Sequence, residues 1–299
     1  MMEKQRVLVT GGSGFIGRYL MSELRGRGAT VLGTCVGPAP SEDFVSVTLF
    51  DRKKLTEIIE EFQPTWIVHL AAIALVTHGN VEQIYAVNVL GSENLINAVV
   101  DAQIKSPTIL LASTAGVYGN QEDEYLSESL PYNPSNHYSY SKMIMEMLTR
   151  SYNDKLKIHI VRPFNVIGTG QAESFLVPKI VKHFREKKEL LQLGNIDSVR
   201  DYVEAKGCAT MISQLISQEH RDPFTLNLCT GRGWSGHDVL DTLAEISGFR
   251  PRVEIVNNYV RSNEVWRLVG NPDQLHKYLG HTPNLLDLKQ ILTSMYNAN

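Results

Sequence analysis

A chain of 299 residues with 43% hydrophobic content carries enough apolar material for a sizeable core and sits near the upper size for one continuous core, so one large domain with a smaller appended lobe is expected. The formal net charge of −3, with Lys and Arg spread evenly, offers no basic stripe for a phosphate backbone and excludes a nucleic-acid partner. Cys35, Cys208 and Cys229 are too widely spaced for a disulfide framework or a zinc site, the start lacks a signal-peptide core, and the longest nearly apolar run, Trp66 to Val76, is too short to span a bilayer; these features predict a reduced, cytoplasmic protein with no metal and no membrane partner.

Short β-branched or apolar runs occur at Arg6 to Val9, Thr30 to Thr34, Val45 to Leu49, Trp66 to Ala71, Thr108 to Ala112 and Lys157 to Val161. Between them the helical period predicts helices over Ile16 to Arg27, Arg52 to Glu61, Val81 to Gln103 and Tyr138 to Leu156. The alternation predicts an α/β fold, a Rossmann-type doubly wound parallel sheet covered by helices on both faces. After Arg162 and Pro163 the alternation breaks down, which predicts a dinucleotide-binding domain over 1–163 with a return segment near 200–230, and a smaller mixed α/β substrate lobe over 164–299.

The first strand runs into Thr10-Gly11-Gly12-Ser13-Gly14-Phe15-Ile16-Gly17 and then a helix. Glycines at 11, 14 and 17 allow a tight turn, close backbone approach to a pyrophosphate and close helix packing, while the helix start offers free N–H donors to the anion. Gly11, Ser13, Gly14, Phe15, Ile16 and Gly17 are therefore the expected dinucleotide cradle. The second strand ends in Gly33-Thr34-Cys35-Val36, with neither an acid for a ribose diol nor a nearby Arg for a 2′-phosphate. Thr34 is expected beside the cofactor, and NAD or NADP both remain open, with NADP favoured because the repelling charge is absent. Asp51 either accepts from the adenine amino group or caps the helix that follows.

Tyr138 and Lys142 lie one helical turn apart on a shared face. An ammonium and a cationic nicotinamide near the phenol would favour its phenolate and let Tyr138 act as a base in oxidation or an acid in reduction. Upstream, the strand reaching Ala112 ends in Ser113 and Thr114 at the sheet edge where ligands bind in parallel folds; Thr114 either bonds a sugar carbonyl beside Tyr138 or simply finishes the strand.

With these motifs together, the chain resembles the extended short-chain dehydrogenase/reductase family. The matching segments are TGGSGFIG at 10–17, His69-Leu70-Ala71-Ala72, Asn88, Ser113-Thr114 with Val117-Tyr118-Gly119, Tyr138 with Lys142, and Arg162-Pro163-Phe164-Asn165. The resemblance implies that Lys142 also holds the nicotinamide ribose and that Leu70, Ala71, Ala72 and Pro163 line the cofactor. It further implies a nucleotide-diphosphate sugar as partner, gripped by Asn165, Lys179, Arg200, Arg261 and Glu264, with Arg forks on phosphate and the carboxylate on a ribose diol. For Arg261 and Glu264 a structural ion pair is the alternative.

Family members that eliminate water across C5 and C6 carry an acid after the catalytic Thr, whereas Ala115 and Gly116 stand there in this chain. That leaves hydride transfer at C4, and the patterns in both lobes most resemble family reductases that act on a GDP-linked 4-keto-6-deoxy sugar. A 4-epimerase with tightly held NAD and a non-catalytic nucleotide sensor are the alternatives. Apolar positions on the Val81 and Tyr138 helices fit either internal packing or a homodimer built from paired helices.

Overall fold

The computed structural model describes residues 2, 4–74, 79–105, 107–256 and 264–298. In chain order, the dinucleotide-type half comprises β1 (Arg6–Thr10), α1 (Phe15–Gly26), β2 (Thr30–Cys35), β3 (Phe44–Ser46), α2 (Arg52–Phe62), β4 (Trp66–His69), α3 (Val81–Tyr85), α4 (Ser92–Asp101), β5 (Thr108–Ala112), α5 (His137–Leu148) and β6 (Lys157–Pro163). The remainder comprises β7 (Asn165–Ile167), α6 (Leu176–Arg185), β8 (Leu190–Leu193), β9 (Val199–Glu204), α7 (Ala205–Ile216), β10 (Thr225–Leu228), β11 (Gly233–Trp234), α8 (Gly236–Ser247), β12 (Arg252–Ile255), β13 (Arg267–Leu268), α9 (Asp273–Leu279) and α10 (Leu288–Asn297).

Seven strands form one sheet in the order β10-β6-β5-β4-β1-β2-β3, every neighbouring pair parallel. Its central strands are continuously apolar because each face needs its own core. Val7 and Val9 of β1 enter one hydrophobic cluster with Leu20, Met21 and Met211, on the side of α1 and α7. Leu8 enters the opposite cluster with Leu55, Ile59 and Leu95, under α2 and α4. The strand order reverses between β1 and β4, which opens a crevice beyond their carboxyl ends.

After β6 the chain leaves this sheet and later returns to it: α7 packs on α1, and β10 joins the edge beside β6. Strands β7, β9, β11 and β13 form a separate small sheet, and β8 pairs with β12. Ile180, Phe184, Leu191, Leu243 and Leu292 fill a third core beneath α6, α8 and α10.

Two helices differ from the sequence expectation. The run from Val81 is interrupted between α3 and α4 by a π-helical turn over Ala86–Gly91. Asn88 within it is fully buried; its Oδ1 accepts from the Ile73 N–H at 2.8 Å, and its Nδ2 donates to the Ile73 carbonyl and the Ser141 hydroxyl, both at 3.0 Å. The wide turn carries a side chain that bonds a neighbouring loop and α5 together. The other helix, expected to reach Leu156, ends at Leu148 and tightens into a 3₁₀ turn over Thr149–Tyr152. Cys35, Cys208 and Cys229 are free thiols, all buried.

Two fully buried histidines are held neutral. Ser92 spends its hydroxyl proton on the Asn88 carbonyl at 2.7 Å, so His69 Nε2 donates to Ser92 Oγ at 2.9 Å and His69 Nδ1 accepts from Thr10 at 2.6 Å. His159 Nδ1 accepts from the Phe224 N–H at 3.2 Å, with the imidazole stacked on the Phe224 ring. Burial pushes both imidazoles down to about 3, reinforced by the Lys142 charge for His69 and by His220 and Lys157 for His159. Below their unfolded value near 6.5 only the unfolded chain takes up these protons, so stability is complete above that pH and is lost as pH falls toward 3. Urea unfolding between pH 6.5 and 5 should show stability declining with a slope approaching about 2.7 kcal/mol per pH unit for the two residues. A flat profile over that interval would contradict the buried, neutral assignment.

Candidate active site

The crevice between the ends of β1 and β4 is shaped by glycine. Gly11 adopts φ +69°, and a Cβ there would lie 2.8 Å from both the N and Cα of Ala71, so only a glycine lets the two loops meet. A Cβ on Gly17 would come within 2.7 Å of the Gly12 carbonyl oxygen, which fixes how closely α1 seats against the turn. Gly14 caps α1 in an extended conformation without any side-chain cap, leaving first-turn N–H groups for an anion. Ser13 and Gly14 are exposed, and Phe15 and Ile16 are half-buried beside them. This geometry fits a dinucleotide pyrophosphate, and the backbone of Leu70 and Ala71 lies directly against the turn.

Thr34 is buried, and its oxygens are spent on the turn itself: the carbonyl accepts from the Gly12 N–H at 3.1 Å, and the hydroxyl lies 3.4 Å from the Gly11 N–H. Asp51 caps α2, its Oδ1 accepting from the Lys54 N–H at 3.0 Å, so the capping reading is realised. Pro163 ends β6 and is buried.

Thr114, just beyond β5, caps a 3₁₀ turn over Ala115–Val117, its hydroxyl accepting from the Gly116 N–H at 3.1 Å. On α5, capped by Asn136 Oδ1 at 2.9 Å from the Ser139 N–H, the half-buried Tyr138 shares a hydrogen bond with Thr114. One turn on, the buried Lys142 donates from Nζ to the Ala112 carbonyl at 2.7 Å. The structure brings all three side chains together at the carboxyl edge of the sheet.

The phenol differs from the sequence expectation. Burial raises Tyr138 to about 12, and the Thr114 hydrogen bond only partly offsets it. The ammonium that was expected to favour phenolate points instead at the Ala112 carbonyl. Burial lowers Lys142 to about 8, against the opposing charge of Glu146. Tyr138 thus holds its proton through the neutral range, the state a proton donor needs. A Cβ on Gly116 would press on the Ser139 hydroxyl and lie 3.4 Å from Thr114 Oγ1, so a larger residue there would require Ser139 to turn aside.

Beneath these residues lies a charged network that the sequence reading missed. Glu146 and Arg162 form a buried bidentate pair, with Arg162 Nε to Oε1 at 3.0 Å and Nη2 to Oε2 at 2.7 Å. Glu146 also accepts from Ser113 and, at 2.8 Å, from Tyr132. Arg162 Nη1 donates to the Tyr118 hydroxyl at 2.9 Å, which in turn donates to Asn227 Oδ1 at 2.7 Å. The available signal was Glu146 one turn beyond Lys142 and an arginine inside the apolar strand β6.

On the second lobe, Asn165 opens β7 with its Oδ1 buried and without a hydrogen-bond partner, a stranded acceptor facing no protein donor. Lys179 Nζ donates to the Gln192 carbonyl at 2.9 Å, at a cavity of about 300 Å³ lined by Lys179, His183, Leu190, Leu191 and Gln192. Arg200 pairs with Glu264 at 2.8 Å, both largely buried, so two expected substrate residues meet each other. Arg261 lies outside the described residues. Asp201 has a structural duty, accepting from Thr230 and Gly231. Among the described residues no cluster of His, Cys, Asp or Glu is arranged to hold a metal, and no helix is long and apolar enough to cross a membrane.

A glycine turn at the switch point of a parallel sheet, with Tyr and Lys one turn apart beside a strand-end Thr, defines an NAD(P)-dependent oxidoreductase of the extended short-chain dehydrogenase/reductase type. The family model described as GDP-mannose 4,6 dehydratase matches residues 8–295, and the chain belongs to that family. Among its relatives, GDP-6-deoxy-D-talose 4-dehydrogenase of Aggregatibacter actinomycetemcomitans is 39% identical, the match covering 97% of each chain. GDP-6-deoxy-D-mannose reductase of Pseudomonas aeruginosa is 28% identical over 97% of this chain and 96% of its own. The structure of RMD from Pseudomonas aeruginosa complexed with NADPH superposes with a TM-score of 0.83 at 26% identity, covering 98% of both chains. The chain is an NAD(P)-dependent enzyme of sugar-nucleotide chemistry.

Gly11→Ala introduces a Cβ against the Ala71 backbone at a left-handed φ, which should weaken binding of NAD(P)H by roughly tenfold or more while the circular dichroism spectrum stays native. Cofactor titration by nicotinamide fluorescence checks this, and wild-type affinity would contradict the assigned cradle.

Proposed function

We propose that the protein reduces the C4 keto group of GDP-4-keto-6-deoxy-D-mannose, using NADPH or NADH. The observation that carries this reading is the protonated Tyr138 sharing a hydrogen bond with Thr114 above the buried Lys142, with no carboxylate at positions 115 and 116 to drive an elimination. When bound, the nicotinamide supplies the hydride that C4 receives. Thr114 orients the keto oxygen, Tyr138 gives its proton to the forming alkoxide, and Lys142 fixes the ribose and supplies positive charge beside the phenol. Arg200 and Arg261 hold the diphosphate, Glu264 the ribose diol, and Asn165 and Lys179 the remaining polar edges. The Arg200–Glu264 pair must exchange partners as the substrate enters.

Two readings of the product have their own support. The similarity of both lobes to the mannose-series reductase favours GDP-D-rhamnose, which is GDP-6-deoxy-D-mannose. The 39% relative is named for 6-deoxy-D-talose, the C4 epimer, which forms when hydride reaches the other face of the same ketone. A homodimer is part of the proposal, formed across the exposed Leu90, Tyr140 and Met147 on and beside α4 and α5.

Nicotinamide absorbance during incubation with the keto sugar should fall by one equivalent per sugar reduced, and separation of the products names the epimer. An isomerised sugar without net cofactor oxidation would replace this reading with a 4-epimerase, and no turnover with any nucleoside-diphosphate sugar would leave a nucleotide sensor. Tyr138→Phe should cost roughly 10²–10⁴-fold in kcat with cofactor affinity retained; near-normal turnover would remove the phenol from the mechanism. Because the Lys142 ammonium is present below about 8 and lost above it, while Tyr138 keeps its proton to about 12, the reduction rate should decline on the alkaline side of pH 8. A rate that is level up to the phenol's own range would contradict a role for the ammonium.

A further inference from the structure

The catalytic side chains hang on a three-residue stretch of strand end. Ala112 presents its carbonyl to Lys142 Nζ at 2.7 Å, and Thr114 shares its hydroxyl with Tyr138. Ser113, between them, is buried and donates its hydroxyl to Glu146, while its N–H donates to the Val161 carbonyl at 2.8 Å. Glu146 itself cannot drift, because Arg162 grips both its oxygens and Tyr132 donates to one of them at 2.8 Å.

We propose that Glu146 is a positioning residue for the reduction: through Ser113 it sets the Ala112–Thr114 stretch on which both Lys142 and Tyr138 rest. One helical turn beyond Lys142, its carboxylate also favours the ammonium. This rests on the proposed reductase chemistry of the same site. The groups facing Lys142 are consistent with that second role. From α5 come Tyr138, protonated, and Glu146, one helical turn on, a carboxylate whose charge favours the ammonium; from β4 comes His69, held neutral; Arg162, Tyr118 and Tyr132 lie around Glu146, and both of those phenols hold their protons. Neutralising Glu146 removes the negative charge that opposes the effect of burial on Lys142, which disfavours its charged form.

Two variants separate position from charge. Ser113→Ala keeps both charges of the pair and frees the strand end; kcat should fall by roughly tenfold, with KM and NAD(P)H affinity near wild type and the alkaline limb of the pH profile unmoved. Glu146→Gln should lower kcat further and move that limb to lower pH by about one unit or more, and Glu146→Asp, which restores the charge, should return the limb toward the wild-type pH. If both Ser113→Ala and Glu146→Gln fold with wild-type kcat and limb, or if Glu146→Gln loses activity in step with thermal stability while the limb stays fixed, the proposal is overturned. If Glu146→Gln does not fold, Ser113→Ala decides: a reduced kcat at constant KM supports the assignment and a wild-type kcat overturns it. A failure of the reductase reading itself is distinguishable, because wild-type protein would then show no net cofactor oxidation with any keto sugar.

Discussion

Parallel strands end at an edge where backbone carbonyls and N–H groups run out of neighbours, and in this protein the end of β5 converts that edge into a platform. Its residues alternate, so Leu110 and Ala112 feed one core while Ile109 and Leu111 feed the other. The register with β6 is kept through Ala112 and beyond, by the Ser113 N–H on the Val161 carbonyl. Three consecutive residues therefore hold fixed positions without being loop residues in any mobile sense. One offers a carbonyl to Lys142, one a hydroxyl to Glu146, one a hydroxyl to Tyr138. Placement of the candidate catalytic side chains follows from sheet pairing, and α5 needs only to dock against it.

That docking uses buried charge. Exposed pairs such as Lys53 with Glu57 or Lys289 with Glu245 contribute little in water. Glu146 with Arg162 is different, since both side chains are almost wholly out of solvent and every strong donor on the arginine has an acceptor. Such a pair adds little net stability over an apolar substitute, but removing one partner leaves a buried charge at a cost of about 3–5 kcal/mol. Its effect is orientational: it links α5, β6, the β5 end and the turn carrying Tyr118, and, through Asn227, β10 on the returning segment. The elements supplying Thr114, Tyr138 and Lys142 are thereby locked to a common point.

Much of this was legible from residue order because it depends on local geometry. The spacing of Gly11, Gly14 and Gly17 reads directly as a turn where a Cβ has no room, and unbroken apolar strands read as a sheet with two covered faces. Tyr138 and Lys142 at one helical turn needed only the period of the helix. Long-range effects were less readable. The phenol's high proton affinity comes from burial, which no spacing reports, and the lysine's preference for the Ala112 carbonyl depends on where β5 stops. For Asp51 the sequence left an adenine acceptor and a helix cap open, and the fold shows one of its oxygens at the start of α2; that the Thr34 oxygens also brace the glycine turn was not readable from spacing. That Glu146 and Arg162, sixteen positions apart, pair with each other is not readable until two elements fold over them. Asn88 interrupts a helix that periodicity alone continues, because its side chain is needed elsewhere.

With the pyrophosphate on the glycine turn, the proposed reduction brings the nicotinamide to the Thr114–Tyr138–Lys142 group, and both act on one carbon of the sugar. Reduction with a cofactor carrying deuterium at its transferable position, followed by nuclear magnetic resonance of the nucleotide sugar, tests this most directly. The account predicts one deuterium at C4 and none elsewhere on the hexose. Label retained on the cofactor, or found at C5 or C6, would contradict it.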